Sequence, residues 1–443
     1  MKKLTVFLLC LVMTMSFAFA NGTAENSVAP VTKGPLEITF WHALGDARRS
    51  GWIQERVDEF NASQTKYKVV QEAKGSYRDT LQAAILADKQ GKAPNLVHVF
   101  EVGSQLAYDS GIFMPVSDIG TFDTSDYIAP VLNYYTIDGK VNSIPFNSSS
   151  PVLYINTDKL VAAGYPADYV PDTLEDMIKV VETARAKNVD GANISFALHG
   201  WYFEQWMAEQ GAPLVNNDNG RSARATEVNL TSPAAMAIGN FLSRLGKENL
   251  YSYTGKAEDW DGSDAIFTSG KAIFHITSTA DLGNIGHAVE GKFTMGVGKL
   301  PILSGTKRNG TVIGGGSVWV TKNHTPEELE GARDFILFMT NTKNMVSWHK
   351  LTGYYPVRNS SVDQLKAEGW FTSDAKQLVA FNQLLNTIPN AATAGALAGT
   401  LLDNRTIMEQ AMQKILQGGD VKNALTEAKV LADAKLKEYN ANF

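Results

Sequence analysis

Extended and helical patterns alternate over one stretch of this chain, and that alternation limits the fold more than any other feature of the sequence. Leu36–Phe40 alternates apolar and polar residues as a strand does, and Ile53, Val57 and Phe60 then recur at helical spacing. A second strand, a second helix and a third strand, Leu96–Phe100, complete a stretch of about 65 residues. Because strand–helix–strand units of this kind build parallel sheets, we expect an α/β fold.

Later segments carry clear signals for the start of a helix. Thr325 is followed three residues later by Glu328, which is a capping box, and Thr173 with Asp176 has the same spacing. Ser232 precedes a proline and then an apolar helical pattern. The C-terminal residues also have helical periodicity. These patterns predict more helix than strand.

The overall composition is that of an ordinary globular protein. Of the 443 residues, 44% are hydrophobic and 19% are charged, which excludes an intrinsically disordered chain. At about 100–200 residues per domain, the length predicts two or three domains. The formal net charge of −6 argues against nucleic acid as a partner, because binding to phosphate backbones needs a basic face.

The N-terminus has the pattern of a secretory signal peptide. Two lysines precede an apolar run, Leu4–Phe17, which ends in the small-residue site Ala18–Ala20. Cleavage after residue 20 removes both lysines, so the mature charge becomes −6 − 2 = −8. It also removes Cys10, the one cysteine, and with it any disulfide or cysteine metal site. We therefore expect export to the periplasm, with a polar linker over residues 21–35.

Two other interpretations of this segment are weaker. A lipoprotein would use Cys10 as the acylated residue, but Leu8 and Leu9 stand where small residues are expected. An uncleaved anchor would need about 20 apolar residues to cross the bilayer, and this run is shorter.

Motifs typical of several enzyme and metal-site classes are missing. The sequence has no HExxH, no Gly-x-Ser-x-Gly and no phosphate-binding P-loop, and its seven histidines are scattered. We expect no catalytic residue, no metal and no cofactor. Carboxylate pairs for glycoside hydrolysis can come from distant segments, so an exported glycosidase stays open as an alternative.

Polar residues follow several of the predicted strands. Glu101 comes directly after the strand Leu96–Phe100, Tyr77 follows the second strand, and Gly315 lies in a glycine run that enters another strand. Ligands of open α/β sheets bind beyond the carboxyl ends of the strands, so these residues are candidates for a site. Each of the three also has a simpler explanation: Glu101 as a solvated loop acid, Tyr77 as a half-buried packing residue, and Gly315 as part of a β-bulge.

A series of short segments in a fixed order gives a family resemblance that runs from about Ile38 to the C-terminal helices. They are Thr39–His42, Phe60–Asn61, Lys74–Tyr77, Ala93–Pro94, Phe100–Gly103, Pro145–Ser149, Pro151–Tyr154, Ile313–Gly315, Trp348–His349, Thr352–Tyr354 and Pro356. In these segments the chain resembles the periplasmic sn-glycerol-3-phosphate-binding proteins of ABC importers, within the sugar-type extracellular solute-binding proteins.

The resemblance implies a set of ligand contacts. Arg405 can form a bidentate, charge-assisted pair with a phosphate, and Glu101 can accept hydrogen bonds from glycerol hydroxyls. Because the whole chain is acidic, the attraction of an anion must be local. Each implied position keeps the family's residue type: Tyr77, Glu101, Ser149, Ser278, Gly315 (through its backbone N–H), Tyr354 and Arg405.

The aromatic wall of the pocket departs from the family pattern. The family places the glycerol end against tryptophans in a Gly-Trp segment, and Trp201 matches the first of them. The spacing to the next tryptophan differs, so we expect Trp206 or an aromatic neighbour as the second wall. The size of the ligand's non-phosphate end is therefore not determined by the sequence, and a phosphodiester such as glycerophosphocholine also fits.

The family's architecture implies a two-lobed periplasmic-binding-protein fold with a hinge and a ligand cleft between the lobes. We expect residues 36–148 and 310–350 in the first lobe, and 149–309 and 351–443 in the second. The implied function is capture of sn-glycerol 3-phosphate, or a glycerophosphodiester, by a monomer that delivers it to an ABC permease and its ATPase. An oligosaccharide-binding importer component is the alternative.

Overall fold

Leu36–His42 forms the first strand, β1, and its inward positions Ile38, Phe40 and His42 are buried, as its alternating pattern predicts.

The computed structural model describes residues 34–373 and 376–443. The predicted signal peptide and residues 21–33 of the predicted linker lie outside the described residues. No helix in the described part of the chain combines the length and apolar character that a membrane span needs.

The remaining strands of the described residues follow in chain order. They are β2 (Tyr67–Ala73), β3 (Leu96–Phe100), β4 (Phe113–Met114), β5 (Thr136–Ile137), β6 (Lys140–Val141), β7 (Ile144–Ser149), β8 (Pro151–Asn156), β9 (Ile194–Phe196), β10 (Phe274–Ser278), β11 (Met295–Lys299) and β12 (Gly314–Thr321).

Helices take up more of the described chain than strands, as the sequence predicts. They are α1 (Ala47–Ser63), α2 (Tyr77–Asp88), α3 (Ser104–Ser110), α4 (Ala129–Tyr134), α5 (Thr157–Ala162), α6 (Leu174–Ala186), α7 (Gly200–Glu209), α8 (Asn216–Gly220), α9 (Pro233–Lys247), α10 (Trp260–Thr268), α11 (Leu282–Val289), α12 (Pro326–Met339), α13 (Thr342–Thr352), α14 (Asn359–Ala367), α15 (Trp370–Ser373), α16 (Lys376–Leu385), α17 (Leu401–Leu416) and α18 (Val421–Asn440).

The first sheet has the order β2-β1-β3-β12-β4, and β7 also pairs with β12. The parallel arrangement predicted for the first three strands is confirmed, because β1 runs parallel to both β2 and β3. The rest of the sheet differs from that prediction, since β12 is antiparallel to β3, β4 and β7. This strand returns to the sheet from a distant part of the chain and enters it in the opposite direction.

The second sheet has the order β11-β8-β10-β9. Strand β8 is antiparallel to β10 and β11, and β10 runs parallel to β9. We call the part of the chain built on the first sheet the first lobe and the part built on the second sheet the second lobe. The residue boundaries of the lobes stay a prediction.

Each sheet is covered by helices on both faces. Residues of α6, α7, α9, α17 and α18 form one continuous apolar core with β8, β9 and β10. A second core joins α1, α12 and α13 to the first sheet and extends to residues beside the second sheet, and a third lies under α2 and α3. A sheet with two apolar faces must be covered on both, so a helix–sheet–helix arrangement is expected in each lobe.

The predicted helix starts are confirmed. Thr173 and Asp176 form a reciprocal capping box at α6, and Thr325 and Glu328 form another at α12. Ser232 caps α9 by accepting the backbone N–H of residue 235. Satisfying these otherwise unpaired amide groups fixes where each helix begins.

The packing of α9 on α17 gives a testable stability prediction. An added Cβ at Gly246 would lie 2.0 Å from the carbonyl oxygen of Leu416. We expect Gly246→Ala to lower the free energy of unfolding by about 1–3 kcal/mol, because the backbone must shift to relieve the overlap. In α1, nothing lies within 4 Å of an added Cβ at Gly51, so Gly51→Ala is the matched control. Chemical denaturation measures both, and an equal effect would contradict the close approach of the two helices.

Candidate functional site

The candidate site lies where strands of both sheets end near the boundary of the two lobes. Glu101 begins a single 3₁₀ turn directly after β3, and Tyr77 is the first residue of α2, after β2. Ser149 ends β7, and Ser278 ends β10. Strand ends therefore supply four of the eight residues that the sequence assigns to the site.

Two tyrosine phenols meet around Asn147. The Nδ2 of Asn147 donates to the Tyr77 hydroxyl at 2.8 Å, and its Oδ1 lies 2.7 Å from Nε2 of His98. The Tyr354 phenol faces both Asn147 and Tyr77. Burial raises the pKa of both phenols and lowers the pKa of His98 to about 3. All three groups are therefore neutral near pH 7.

Aromatic packing fixes the position of these phenols. The Tyr354 ring stacks on Trp348, with centroids 5.7 Å apart and planes 6° apart. Trp348 stacks in turn on Phe146 at 5.2 Å. On the other side, Tyr77 stacks on Phe100 at 5.2 Å and 9°. Rings held in such stacks keep their hydroxyls in place.

Ser149 and Gly315 lie on neighbouring strands, and Trp201 approaches them from α7. Gly314 pairs with Ser149, and an added Cβ at Gly314 would lie 3.2 Å from the Ser149 Oγ and 2.8 Å from Cζ2 of Trp201. Gly315 has φ +98°, and an added Cβ there would overlap the backbone of Asn147 at 2.0 Å. Only glycine allows this approach. The register shift expected of a β-bulge falls one step later, between Gly316 and Ser317.

Ser278 lies on the second sheet, opposite Pro151 in the β8–β10 pairing. Its hydroxyl oxygen accepts the backbone N–H of Ala280 at 3.1 Å. The hydroxyl proton remains free to donate elsewhere. Pro151 is two residues beyond Ser149, so the crossing from β7 to β8 brings the two serines to the same region.

Arg405 is almost fully buried and pairs with two carboxylates. Its Nε and Nη2 donate to the two oxygens of Glu204, each at 2.7 Å, and Nη2 also donates to Glu101 at 2.8 Å. The three side chains are 8%, 11% and 5% exposed, in the order Arg405, Glu204, Glu101. Burial lowers the pKa of Arg405, but Glu204 and Glu101 outweigh it and the net shift is upward. Burial also raises the pKa of Glu101, against the opposing effect of the guanidinium.

This pairing differs from the role expected for Arg405 from the sequence. Two of its donor groups already form a bidentate pair with Glu204, and that fork is what a phosphate would need. The guanidinium is therefore already paired with two carboxyl groups. Arg405 and Glu101, which the sequence assigned to opposite ends of the ligand, are in direct contact.

The predicted role of Trp206 is not supported by its position. Trp206 is fully buried and packs on Phe196 and Phe241 in the core of the second lobe. It lies five residues after Trp201, and a helix of 3.6 residues per turn puts that position on another face. The aromatic neighbours of Trp201 are Tyr202 and Trp260, at 5.7 and 6.1 Å.

His199, Glu258 and Glu409 form a group beside Arg405 whose ligand atoms lie within 4.8 Å of one another. The backbone N–H of Trp201 donates to Nδ1 of His199 at 2.9 Å, so the proton of this ring is on Nε2. Burial lowers the pKa of His199 and keeps the ring neutral. A protonated Nε2 has no lone pair for a metal ion, so this arrangement holds a proton near Glu409.

Three residues of the site were missed from the sequence. Glu204 has no motif, although it lies three residues after Trp201 and therefore on the same face of α7. Asn147 lies within one of the segments that gave the resemblance. Arg49 at the start of α1 donates to Asp281 at 2.8 Å, and its guanidinium carbon lies 5.5 Å from the Tyr354 ring centre. No local pattern indicates that pairing.

Comparison with known proteins gives matches over most of the chain. A profile of the bacterial extracellular solute-binding proteins matches residues 55–379. The sn-glycerol-3-phosphate-binding periplasmic protein UgpB of Yersinia enterocolitica is 30% identical over 422 residues, which cover 93% of this chain and 92% of that protein. The protein of the same name from Rhizobium meliloti is 28% identical over 401 residues, or 88% of this chain and 92% of that protein.

Solved structures share the fold. UgpB from Mycobacterium tuberculosis, in complex with glycerophosphocholine, has a TM-score of 0.75 and 22% identity, covering 92% of this chain and 100% of that one. The cyclic alpha-maltosyl-1,6-maltose binding protein of Arthrobacter globiformis has a TM-score of 0.76 and 20% identity, covering 91% and 100%. The predicted two-lobed α/β binding-protein fold is confirmed.

The buried Glu409 predicts a pH dependence of stability. Burial raises its pKa from 4.5 to about 8, against the N–H of Gly200 that its carboxylate accepts at 3.0 Å. A group with a raised folded pKa contributes stability below its unfolded pKa and loses it as pH rises through the folded value. Wild-type stability should therefore fall between about pH 4.5 and 8. Glu409→Gln, which keeps a neutral acceptor, should flatten that fall in denaturation curves, and equal slopes would contradict the assignment.

Proposed function

The chain belongs to the bacterial extracellular solute-binding proteins, and from that premise we propose that it captures sn-glycerol 3-phosphate or a glycerophosphodiester for an ABC importer. The main support for this choice of ligand is the similarity to the sn-glycerol-3-phosphate-binding proteins, which spans 93% of this chain. All seven contact positions implied by the resemblance keep their residue types, and the contact between Glu101 and Arg405 supports a site between the two sheets. Members of this family bind solutes, so we assign no reaction to the chain.

The phosphate is best matched by the neutral donors. The hydroxyls of Ser149 and Ser278 and the phenol of Tyr354 can donate to phosphate oxygens, and the Gly315 position lets the backbone come close to an anion. Hydrogen bonds to a charged group are stronger than those between neutral partners. The Arg49 guanidinium lies beside the Tyr354 ring, but it already pairs with Asp281 and Asp46, so we assign the phosphate to the uncharged donors.

The Arg405 group is better matched to the hydroxyl end of the ligand. Two carboxyl groups already pair with the guanidinium, so it has little free positive charge to offer a phosphate, which carries about −1.5 to −2 charges. Glycerol hydroxyls can donate to Glu101 and accept from the remaining N–H groups of Arg405. We therefore revise the expected orientation: the polyol faces Arg405, and the phosphate faces the serines and tyrosines.

Delivery to a membrane permease and its ATPase follows from membership of the family, and we propose it for this chain as well. Export by the N-terminal signal peptide and action as a periplasmic monomer are parts of the same proposal. A binding protein of this kind closes its lobes over the ligand, and the permease then recognises the closed form.

An oligosaccharide ligand is the main alternative, since several of the structures that share the fold bind maltose-type sugars. Those similarities lie below 25% identity and concern the fold. An exported glycosidase would consume its substrate, whereas a binding protein returns its ligand unchanged.

Titration calorimetry with four compounds tests the proposed function. We expect sn-glycerol 3-phosphate and glycerophosphocholine to bind, and glycerol and maltose to give no measurable heat, because the phosphate supplies most of the polar contacts. Binding of maltose without binding of either phosphate compound would contradict the proposal.

The same titrations with a serine variant test the phosphate side of the site. Ser149→Ala should weaken sn-glycerol 3-phosphate about tenfold to a hundredfold, since a hydrogen bond to a charged group is worth about 1.5–3 kcal/mol. Ser117→Ala, at an exposed position of the first lobe, is the control and should leave affinity unchanged. Unchanged affinity in a folded Ser149→Ala protein would remove this residue from the site.

A further inference from the structure

Asp109, on the last turn of α3, is a buried carboxylate that the ligand site does not use. Its side chain is 3% exposed although it lies near the surface of the first lobe. One partner is local: Gln105, on the same helix, donates to it at 3.0 Å. Its other partners all come from the second lobe.

Arg224 and Tyr439 of the second lobe complete the pairing. The two Nη atoms of Arg224 donate to the two carboxylate oxygens of Asp109, at 2.8 and 3.0 Å. The Tyr439 hydroxyl donates to the same carboxylate at 2.8 Å. On its other side, the Arg224 guanidinium lies 4.9 Å from the ring centre of Phe443. A bidentate pair with an additional hydroxyl donor is more specific in geometry than an ordinary surface ion pair.

The groups that reach Asp109 are held in place within the second lobe. The side chain of Asn217 donates to the carbonyl of Arg224 at 2.8 Å, which fixes the loop after α8. Asn440, at the end of α18, donates to the carbonyl of Ala225 at 2.7 Å and ties that loop to the helix that carries Tyr439. The second lobe therefore presents two preorganised donors toward the first.

The described partners of Asp109 do not include any residue of the segments where the chain crosses between the lobes. The crossings run through Ser150 between β7 and β8, through the residues before β12, and past Tyr355, whose N–H donates to the Ser148 carbonyl at 2.7 Å. None of these segments contributes to the Asp109 group. If the lobes separate about those crossings, Asp109 keeps Gln105 and loses its three hydrogen bonds from Arg224 and Tyr439.

We propose that Asp109, Arg224 and Tyr439 form a latch between the lobes, which stabilises the closed form and slows release of a ligand that none of the three touches. A contact made only in the closed form shifts the equilibrium toward it and raises apparent affinity by the same factor. The latch acts on any ligand that the closed form encloses. The proposed latch therefore does not depend on which ligand the protein binds.

Stopped-flow measurement of tryptophan fluorescence tests the latch with sn-glycerol 3-phosphate as the probe. Asp109→Asn and Arg224→Gln should each increase the dissociation rate about three- to tenfold. Because both remove the same contact, the double variant should be no faster than the faster single variant. Tyr439→Phe, which removes one hydrogen bond, should have a smaller effect. Asp118→Asn, which alters an exposed pair with Lys140 in the same lobe, is the matched control and should leave the rate unchanged.

Unchanged dissociation rates in the folded variants, or effects that simply add, would overturn the latch. If sn-glycerol 3-phosphate does not bind the wild-type protein, that result counts against the proposed function. The latch is then tested by a second measurement. In that case, the same dissociation rates are measured with glycerophosphocholine or maltose, whichever binds the wild-type protein. Faster release from Asp109→Asn and Arg224→Gln supports the latch, and unchanged rates overturn it.

Discussion

The buried contact between Arg405 and two carboxylates is the interaction on which the organisation of the site depends. Arg405 and Glu204 belong to helices of the second lobe, and Glu101 follows a strand of the first. Removing such charges from water is costly unless each finds a partner, and here the partners come from both lobes. The contact therefore favours a closed arrangement, and it also determines which ligand chemistry the adjacent surface can accept.

The rest of the site follows from what that contact excludes. Because Arg405 is already paired with two carboxyl groups, the phosphate of the proposed ligand belongs with uncharged donors. Those donors are available because strands β7, β10 and β12 end or begin at the same region. The stacked rings of Tyr354, Trp348 and Phe146 hold one phenol in place. A buried neutral site of this kind can bind a phosphate by many hydrogen bonds rather than by one ion pair.

Local features of the structure were predictable from the sequence because they depend on neighbouring residues. The first three strands, the capping boxes of α6 and α12 and the proline-led start of α9 are all set within a few positions. The resemblance to a family supplied the distant members of the site, Ser278 and Arg405. Their roles remain predictions, since residue type alone does not say which group of the ligand they meet.

Features that depend on pairing between distant segments were not predictable in this way. Glu204 and Arg405 are 201 residues apart, and nothing near either residue indicates the other. The antiparallel entry of β12 depends on where the chain returns from the second lobe. Trp206 was one of two candidates for the second aromatic wall, the other being an aromatic neighbour of Trp201, and helical geometry directs Trp206 into the core. Each case required the three-dimensional path of the chain.

We propose that a phosphorylated glycerol binds between the lobes with its polyol toward Arg405 and its phosphate away from it. A crystal structure of the protein with sn-glycerol 3-phosphate shows which end of the ligand meets Arg405. We expect phosphate oxygens to accept hydrogen bonds from the hydroxyls of Ser149 and Ser278, while the Arg405–Glu204 pair stays intact. A phosphate bound to Arg405 with Glu204 displaced, or a ligand bound outside the cleft, would contradict it.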